Sequence, residues 1–316
     1  MGEWLKKKTV RSQDQRRMIQ ANTHSFPSKY WRNKITKTKE SNRCDLSRAL
    51  WVSQGRSTTE DDLPIQTLGH IQHQCENLSE VHTLAHHRCW WIIHSELQRL
   101  ASSKWRFVCV NGEKNLRTVW RDLEDEFPKA FNYFSVQTLE NATMGQERNR
   151  PLTEAEGIKH KVGTPIEKIV QDRIWNERPD GFTIKMPTKE KAGELVILEF
   201  KRMSCVTDQY VKRARNVAEA QYASMKSALE KTLNPQGWRV SQRSFIAGAR
   251  SLNEKDLHDN LAYFKVPQAG IESIRSKLAF KIFDEYANIL KGMYSTRFNG
   301  RPKSKGDHDQ MDTAPG

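Results

Sequence analysis

The sequence predicts an α/β protein whose sheet mixes parallel and antiparallel strands. Two apolar runs, Phe182–Met186 and Glu194–Lys201, flank the turn segment PTKEKAG and read as a hairpin. A long helical pattern from Asp208 to Leu233 and a third apolar run, Trp238–Ala249, come next. Strand–helix–strand in one sheet implies a parallel pair joined by a right-handed crossover. Helical patterns at Asn253–Phe264 and Gly270–Tyr294 close the series, so helices are expected to cover the sheet.

The hairpin is preceded by Thr164-Pro165-Ile166-Glu167, a helix start with a threonine cap, proline at the first position and glutamate at the third. Ile166, Ile169, Val170 and Ile174 make the apolar stripe of that helix. On the long helix, Tyr210, Ala214, Val217, Gln221, Met225, Ala228 and Leu229 are expected on one face, with Pro235 and Gly237 as its stop. Further upstream, Ile65–Ala101 carries helical spacing with a break around Cys75–Ser79. Trp105–Val110 reads as a short strand, and Asn115–Phe127 as an amphipathic helix stopped by Pro128. Residues 140–163 are polar, carry Gly145, Pro151, Gly157 and Gly163, and read as a linker. The resulting plan has four parts. Residues 1–60 form a basic, largely disordered arm, and 61–150 a helical region. Residues 151–298 form the α/β domain, and 299–316 a loose tail.

Of the 316 residues, 28% are charged, and the net charge is +14. The first 60 residues hold 14 Lys/Arg against 5 Asp/Glu. Such a basic arm on a basic body points to an acidic polymer, with nucleic acid as the expected partner and DNA ahead of RNA. No apolar run reaches membrane-spanning length, and MGEWLKKKTV lacks the apolar stretch of a secretory signal. Five scattered cysteines suit a reducing compartment rather than a disulfide framework. A nuclear or cytoplasmic location is therefore expected.

The stretch RPDGFTIKMPTKEKAGELVILEFKR, Arg178 to Arg202, carries the chemistry. Side chains alternate along a strand, so Val196, Leu198 and Phe200 face one way while Leu195, Ile197, Glu199 and Lys201 face the other. Glu199 and Lys201 then stand roughly 7 Å apart on one face. Asp180 opens the neighbouring strand, away from the turn, where register can bring it beside them. Two converging carboxylates repel unless a proton or cation intervenes. A hard divalent ion resolves this, because Mg²⁺ takes one or two carboxylates, keeps several waters and engages phosphate oxygens. A lysine beside such an ion can orient water and stabilise developing phosphate charge.

Pro179-Asp180, followed nineteen residues later by Glu199-Phe200-Lys201 behind four apolar residues, resembles the PD-(D/E)XK nuclease superfamily. The resemblance covers about 164–249, and implies a restriction-endonuclease-like mixed sheet flanked by helices, here preceded by a helical region. Within it, the chain resembles nuclease-like domains borne by eukaryotic retroelements or their remnants, which also carry a helical, tryptophan-containing segment upstream. The resemblance implies metal-dependent hydrolysis of DNA phosphodiesters, with Mg²⁺ or Mn²⁺ held by Asp180, Glu199 and the Phe200 carbonyl. It implies that Lys201 positions the attacking water, that Glu167 supplies a further acid, and that Gln221 steadies the site. RecB-like members often place a tyrosine four residues after that glutamine; this chain has Met225 there, and Tyr222 adjacent to Gln221.

Arg202, Lys212, Arg213 and Arg215 cluster near the motif strand as candidate phosphate contacts. Two cuts on a duplex would call for a homodimer. The alternative reading is a catalytically silent nuclease fold, derived from a mobile element and kept as a nucleic-acid-binding or protein-interaction module. The segment GHIQHQCENLSEVHTLAHHRC, with His70, His73, Cys75, His82, His86, His87 and Cys89, places His82 and His86 one helical turn apart, but its spacing matches no zinc finger. Trp90 and Trp91 are expected as core anchors.

Overall fold

The structure is a computed structural model that describes residues 28, 37, 41–67, 70–110, 116–149, 151, 163–176, 178–203, 207–248 and 252–299. The chain divides into two compact units, Met1–Ala85 with Phe283–Gly316, and His86–Ile282. Among the described residues no helix is long and apolar enough to cross a membrane.

The first unit contains α1, Asp45–Ser53, a π-helical turn at His70–Gln74, a 3-10 turn at Glu76–Leu78, and the start of α2, Ser79–Leu100. Leu46, Leu63, Ile71, Cys75 and Leu78 are buried in it. The helix α1 falls inside the segment expected to be a disordered arm. Its apolar positions are few, so the polar composition around them hid a short helix whose amide ends are tied to neighbours. Cys44 N–H donates to the Pro64 carbonyl (2.9 Å), and Gln66 N–H to the Asn42 carbonyl (2.8 Å). Residues 41–60 are therefore not part of a disordered arm. Of the expected tail, 299–316, Asn299 is the last residue of a helix, and 300–316, like most of residues 1–40, lie outside the described residues.

The second unit is built on a four-stranded sheet of β1 (Trp105–Cys109), β2 (Gly181–Lys185), β3 (Gly193–Met203) and β4 (Trp238–Gly248), in that spatial order. The pairs β1–β2 and β2–β3 are antiparallel, and β3–β4 is parallel. The hairpin and the parallel pair are as the alternation predicts. The boundary expected at 150/151 does not hold, because β1 pairs along its whole length with β2 and so belongs to the motif sheet. Residues 61–150 are thus no separate helical region.

Helices follow the strands: α3 (Leu116–Glu126), α4 (Val136–Asn149), α5 (Ile166–Asn176), α6 (Asp208–Gln221), α7 (Ala223–Leu233), α8 (Glu254–Tyr263) and α9 (Gln268–Asn299). The α4 helix occupies part of the segment expected to be a linker. Its buried Leu139 and Thr143 are spaced one turn apart, and Gly145 is carried without breaking it.

Both faces of the sheet are covered, as its strand composition requires. On one face Phe182, Ile184, Leu195 and Ile197 pack with Trp120, Leu123, Val170, Tyr222, Met225 and Leu229. On the other, Val196, Leu198 and Phe200 pack with Trp90, Ile93, Phe245, Leu257, Phe264 and Ile274. The alternation predicted for β3 thus separates two cores. The long helix expected over 208–233 breaks at Tyr222, whose backbone (φ −105°, ψ 9°) leaves the helical region. The break rotates the buried face, so Val211, Ala214 and Ala218 are inside on α6 while Tyr210 and Val217, expected inside, are exposed.

Candidate active site

β3 runs past the start of β2. Gly181 pairs with Leu198, the last β3 residue paired with β2, so among the described residues Glu199–Met203 run past β2 while staying in register with β4. Asp180, the residue just before β2, fills the gap. Its Oδ2 accepts the Phe200 backbone N–H at 2.7 Å, replacing the missing ladder bond. Its carbonyl accepts Val110 N–H and Trp90 Nε1–H, both at 2.9 Å. Gly181 next to it is needed for space: a Cβ there would lie 2.8 Å from the Val108 carbonyl oxygen and 3.1 Å from the Trp90 ring. The N–H and C=O of one residue leave a strand on the same edge, so the Phe200 carbonyl faces the side on which Asp180 sits.

Glu199 is buried, and its two oxygens are held apart in function. Oε1 pairs with Lys201 Nζ at 2.5 Å, and Oε2 accepts the Tyr222 hydroxyl at 2.7 Å. Lys201 Nζ also donates to Gln221 Oε1 at 2.8 Å. Gln221 Nε2 donates to the Tyr222 oxygen (3.0 Å), and that hydroxyl also lies 3.1 Å from the Arg178 carbonyl. Burial, then the negative charge of Asp180, pushes the Glu199 carboxyl up to about 7, against the pull of Lys201 and Tyr222. The two carboxylates therefore sense each other across the strand gap, as their convergence demands.

Asp180, Glu199, Lys201 and Gln221 are brought together where the sequence places them. Glu167 is not. It is exposed on the first turn of α5, its carboxylate 3.8 Å from Arg148, and no hydrogen bond or ion pair among the described residues joins it to the cluster. That glutamate acts here as first-turn acid on a helix end. Arg202 is half-buried, and Lys212 and Arg213 are exposed on α6. Arg215 is engaged elsewhere, its guanidinium paired with the buried carboxylate of Asp256.

Two site residues escaped the sequence reading. His86 Nε2 lies 2.7 Å from Asp180 Oδ1, and Tyr222 locks Glu199. The only trace of His86 was its place in a histidine-rich run, where the i, i+4 spacing to His82 suggested a shared metal. In the structure His82 bonds the Ile71 carbonyl (2.9 Å) instead, and the side chain of His73 lies outside the described residues. Trp90 is a core anchor as expected, whereas Trp91 is 54% exposed.

The donor set fits a hard cation. Two carboxylates and a backbone carbonyl are all-oxygen donors of the kind Mg²⁺ or Mn²⁺ takes; the Glu199 carboxyl is raised first by burial and second by the charge of Asp180, and a cation would offset the second of these. A wide groove of about 1270 Å³, lined by Lys104, Arg106, Lys129, Lys185, Lys189 and Lys191 among others, lies instead at the hairpin-turn end of the sheet. It holds none of these groups. Comparison with protein-family models, curated proteins and solved structures finds no match.

Proposed function

We propose that the unit His86–Ile282 is a metal-dependent nuclease of the PD-(D/E)XK type, with a restriction-endonuclease-like fold, that hydrolyses DNA phosphodiester bonds by direct attack of water. The observation that supports this most is the convergence of Asp180, Glu199 and Lys201 at the gap where β3 outruns β2. Mg²⁺ or Mn²⁺ held by Asp180, Glu199 and the Phe200 carbonyl would supply Lewis-acid stabilisation of the phosphate and a more acidic water.

The chain's own residues do the positioning. An ammonium has three donors; Lys201 commits two of them, to Glu199 and Gln221, and the third is left to orient water. Gln221 and Tyr222 fix the Lys201–Glu199 pair from one helix end, while the Phe200 amide and His86 fix Asp180. No nucleophile–base pair with an orienting third group is needed, so no covalent enzyme intermediate forms.

One observation favours the alternative of a silent binding module: every carboxylate oxygen of Asp180 and Glu199 already has a partner in the chain. Incubation with supercoiled plasmid, linear duplex and RNA, with and without Mg²⁺, discriminates. Mg²⁺-dependent nicking of DNA supports the nuclease reading. Binding without cleavage at any divalent ion concentration supports the silent module.

A further inference from the structure

The first unit holds a second cluster of ligand-type side chains, independent of the nuclease reading. Cys44, His70 and Cys75 are all buried, and one ligand atom from each lies within 4.8 Å of the others. The two sulfurs are 4.0 Å apart, about twice the length of a disulfide bond. Tetrahedral coordination with Zn–S of about 2.3 Å and Zn–N of about 2.0–2.1 Å sets ligand atoms roughly 3.5–3.8 Å from each other. Ser47 stands beside them, its Oγ 3.2 Å from His70 Nε2 and 3.8 Å from Cys75 Sγ, so a hydroxyl is at hand for a fourth corner.

Local structure builds this arrangement from two segments. Cys44 is the residue before α1 and Ser47 lies one turn inside it. On the other segment the π-helical turn closes with Cys75 N–H on the His70 carbonyl at 2.9 Å. That wider turn sets His70 and Cys75 on one side, where ordinary helical spacing would splay them; π-turns often mark functional positions. Gln66 Nε2, itself buried, donates toward Cys44 Sγ at 3.7 Å, the kind of outer contact that holds a metal thiolate.

We propose that Cys44, His70 and Cys75 form a zinc site, with Ser47 Oγ or a water at the fourth position, that staples α1 to the segment leading into α2. Two sulfurs and an imidazole are soft donors that select zinc over Mg²⁺ or Ca²⁺. The apolar residues buried in this segment are few, and a metal staple is how a small core is commonly secured. The pattern is hard to see in the sequence because 25 residues separate Cys44 from His70.

The test is the metal content of the full chain, purified under reducing conditions after expression with zinc. One zinc per chain is expected, falling below about a tenth in Cys44→Ser and in Cys75→Ser. Cobalt loading of the wild-type chain guards against misfolded variants, since thiolate-to-cobalt charge-transfer absorption requires sulfur ligands on the ion. Gln66→Ala should weaken zinc retention against a competing chelator by about ten- to a hundredfold, and Ser47→Cys should tighten it. A wild-type chain with free thiols and no zinc, or with a Cys44–Cys75 disulfide, overturns the proposal. So does wild-type zinc content in both cysteine variants. Nuclease assays play no part in any of these outcomes.

Discussion

The hydroxyl of Tyr222 sits 2.7 Å from Glu199 Oε2 and 3.1 Å from the Arg178 carbonyl. One phenolic proton cannot serve both acceptors fully. With the Glu199 carboxyl raised to about 7, its proton supplies the missing donor: protonated Glu199 gives to Tyr222, and Tyr222 gives to Arg178. A cation held beside Glu199 would favour the carboxylate form, and Tyr222 would then donate to it. Tyr222→Phe keeps the buried ring and deletes this relay. Cleavage at limiting Mg²⁺ should fall by about 10–100-fold, the usual effect of losing an outer partner of a metal ligand. Stability should fall by about 1–2 kcal/mol from the loss of the hydroxyl's hydrogen bonds with Glu199 and Gln221. Titration of the cleavage rate against Mg²⁺, with urea unfolding alongside, measures both; an unchanged Mg²⁺ dependence refutes the role.

His86 holds Asp180 from the side opposite the Phe200 amide. His86→Ala frees Oδ1 without touching β2, β3 or the backbone anchors of Asp180. A 10–100-fold loss in apparent Mg²⁺ affinity or rate is expected, with little change in the melting temperature because the imidazole is half-exposed. A variant with wild-type Mg²⁺ dependence would reduce His86 to a surface contact.

The central triad makes a sharper demand. Lys201→Ala removes the donor proposed to orient water and leaves Glu199 without its counter-charge, and Asp180→Asn removes one carboxylate. Each should lower cleavage by about a hundredfold or more, as deleting a donor in a preorganised site does. Duplex affinity measured in Ca²⁺ should stay within a few-fold. Cleavage retained in either variant, at any Mg²⁺ concentration, removes the site.

How much of this was legible in the sequence follows from the range of the interactions. The period-2 run in β3 fixed both the sheet and the facing of Glu199 and Lys201, because alternation is local. The kink at Tyr222 was not legible, since what pulls that residue out of helical geometry lies on β3 and at Arg178, far away in sequence. His86 is 94 residues from Asp180, and helical periodicity says which face it shares but not what faces it. Glu167 misled because a first-turn glutamate has the same signature whether it caps a helix or serves a site. The split between a helical and an α/β region failed for a related reason: β1 is short, and its partner β2 lies beyond three described helices.

His94 is buried, and among the described residues neither ring nitrogen has a hydrogen-bond partner. It lies between the rings of Trp90 (6.0 Å) and Trp91 (5.8 Å). Burial lowers its pKa to about 4. The folded chain therefore keeps it neutral while the unfolded chain takes up a proton below about 6.5. Stability is complete above that value and drains away as pH falls toward 4, by roughly 2–3 kcal/mol at pH 4.5. His94→Leu removes this one slope. Urea unfolding at pH 7.5 and 4.5 should show the acid penalty of the variant smaller than wild type by that amount; identical penalties would place the acid sensitivity elsewhere.

The proposed binding of nucleic acid makes a prediction for the basic N-terminal segment, and α1 sets where that segment should be cut. Removing residues 1–60 would delete Cys44, Ser47 and α1 along with the arm, and would confuse lost charge with lost structure. Removing residues 1–40 takes away 11 Lys/Arg against 3 Asp/Glu and leaves α1 whole. If the arm lies along phosphates, the slope of log binding constant against log salt should shrink by about 0.9 for each phosphate it contacts. Affinity at low salt should fall steeply, while affinity at high salt, where those contacts are already screened, converges on the full-length value. Fluorescence anisotropy of a short duplex across a salt series, comparing the full chain with the chain from residue 41, gives the two slopes directly. Equal slopes would mean that the arm's charge never meets the polymer, and that Lys212 and Arg213 on α6 and the second unit's other basic side chains account for all of the binding.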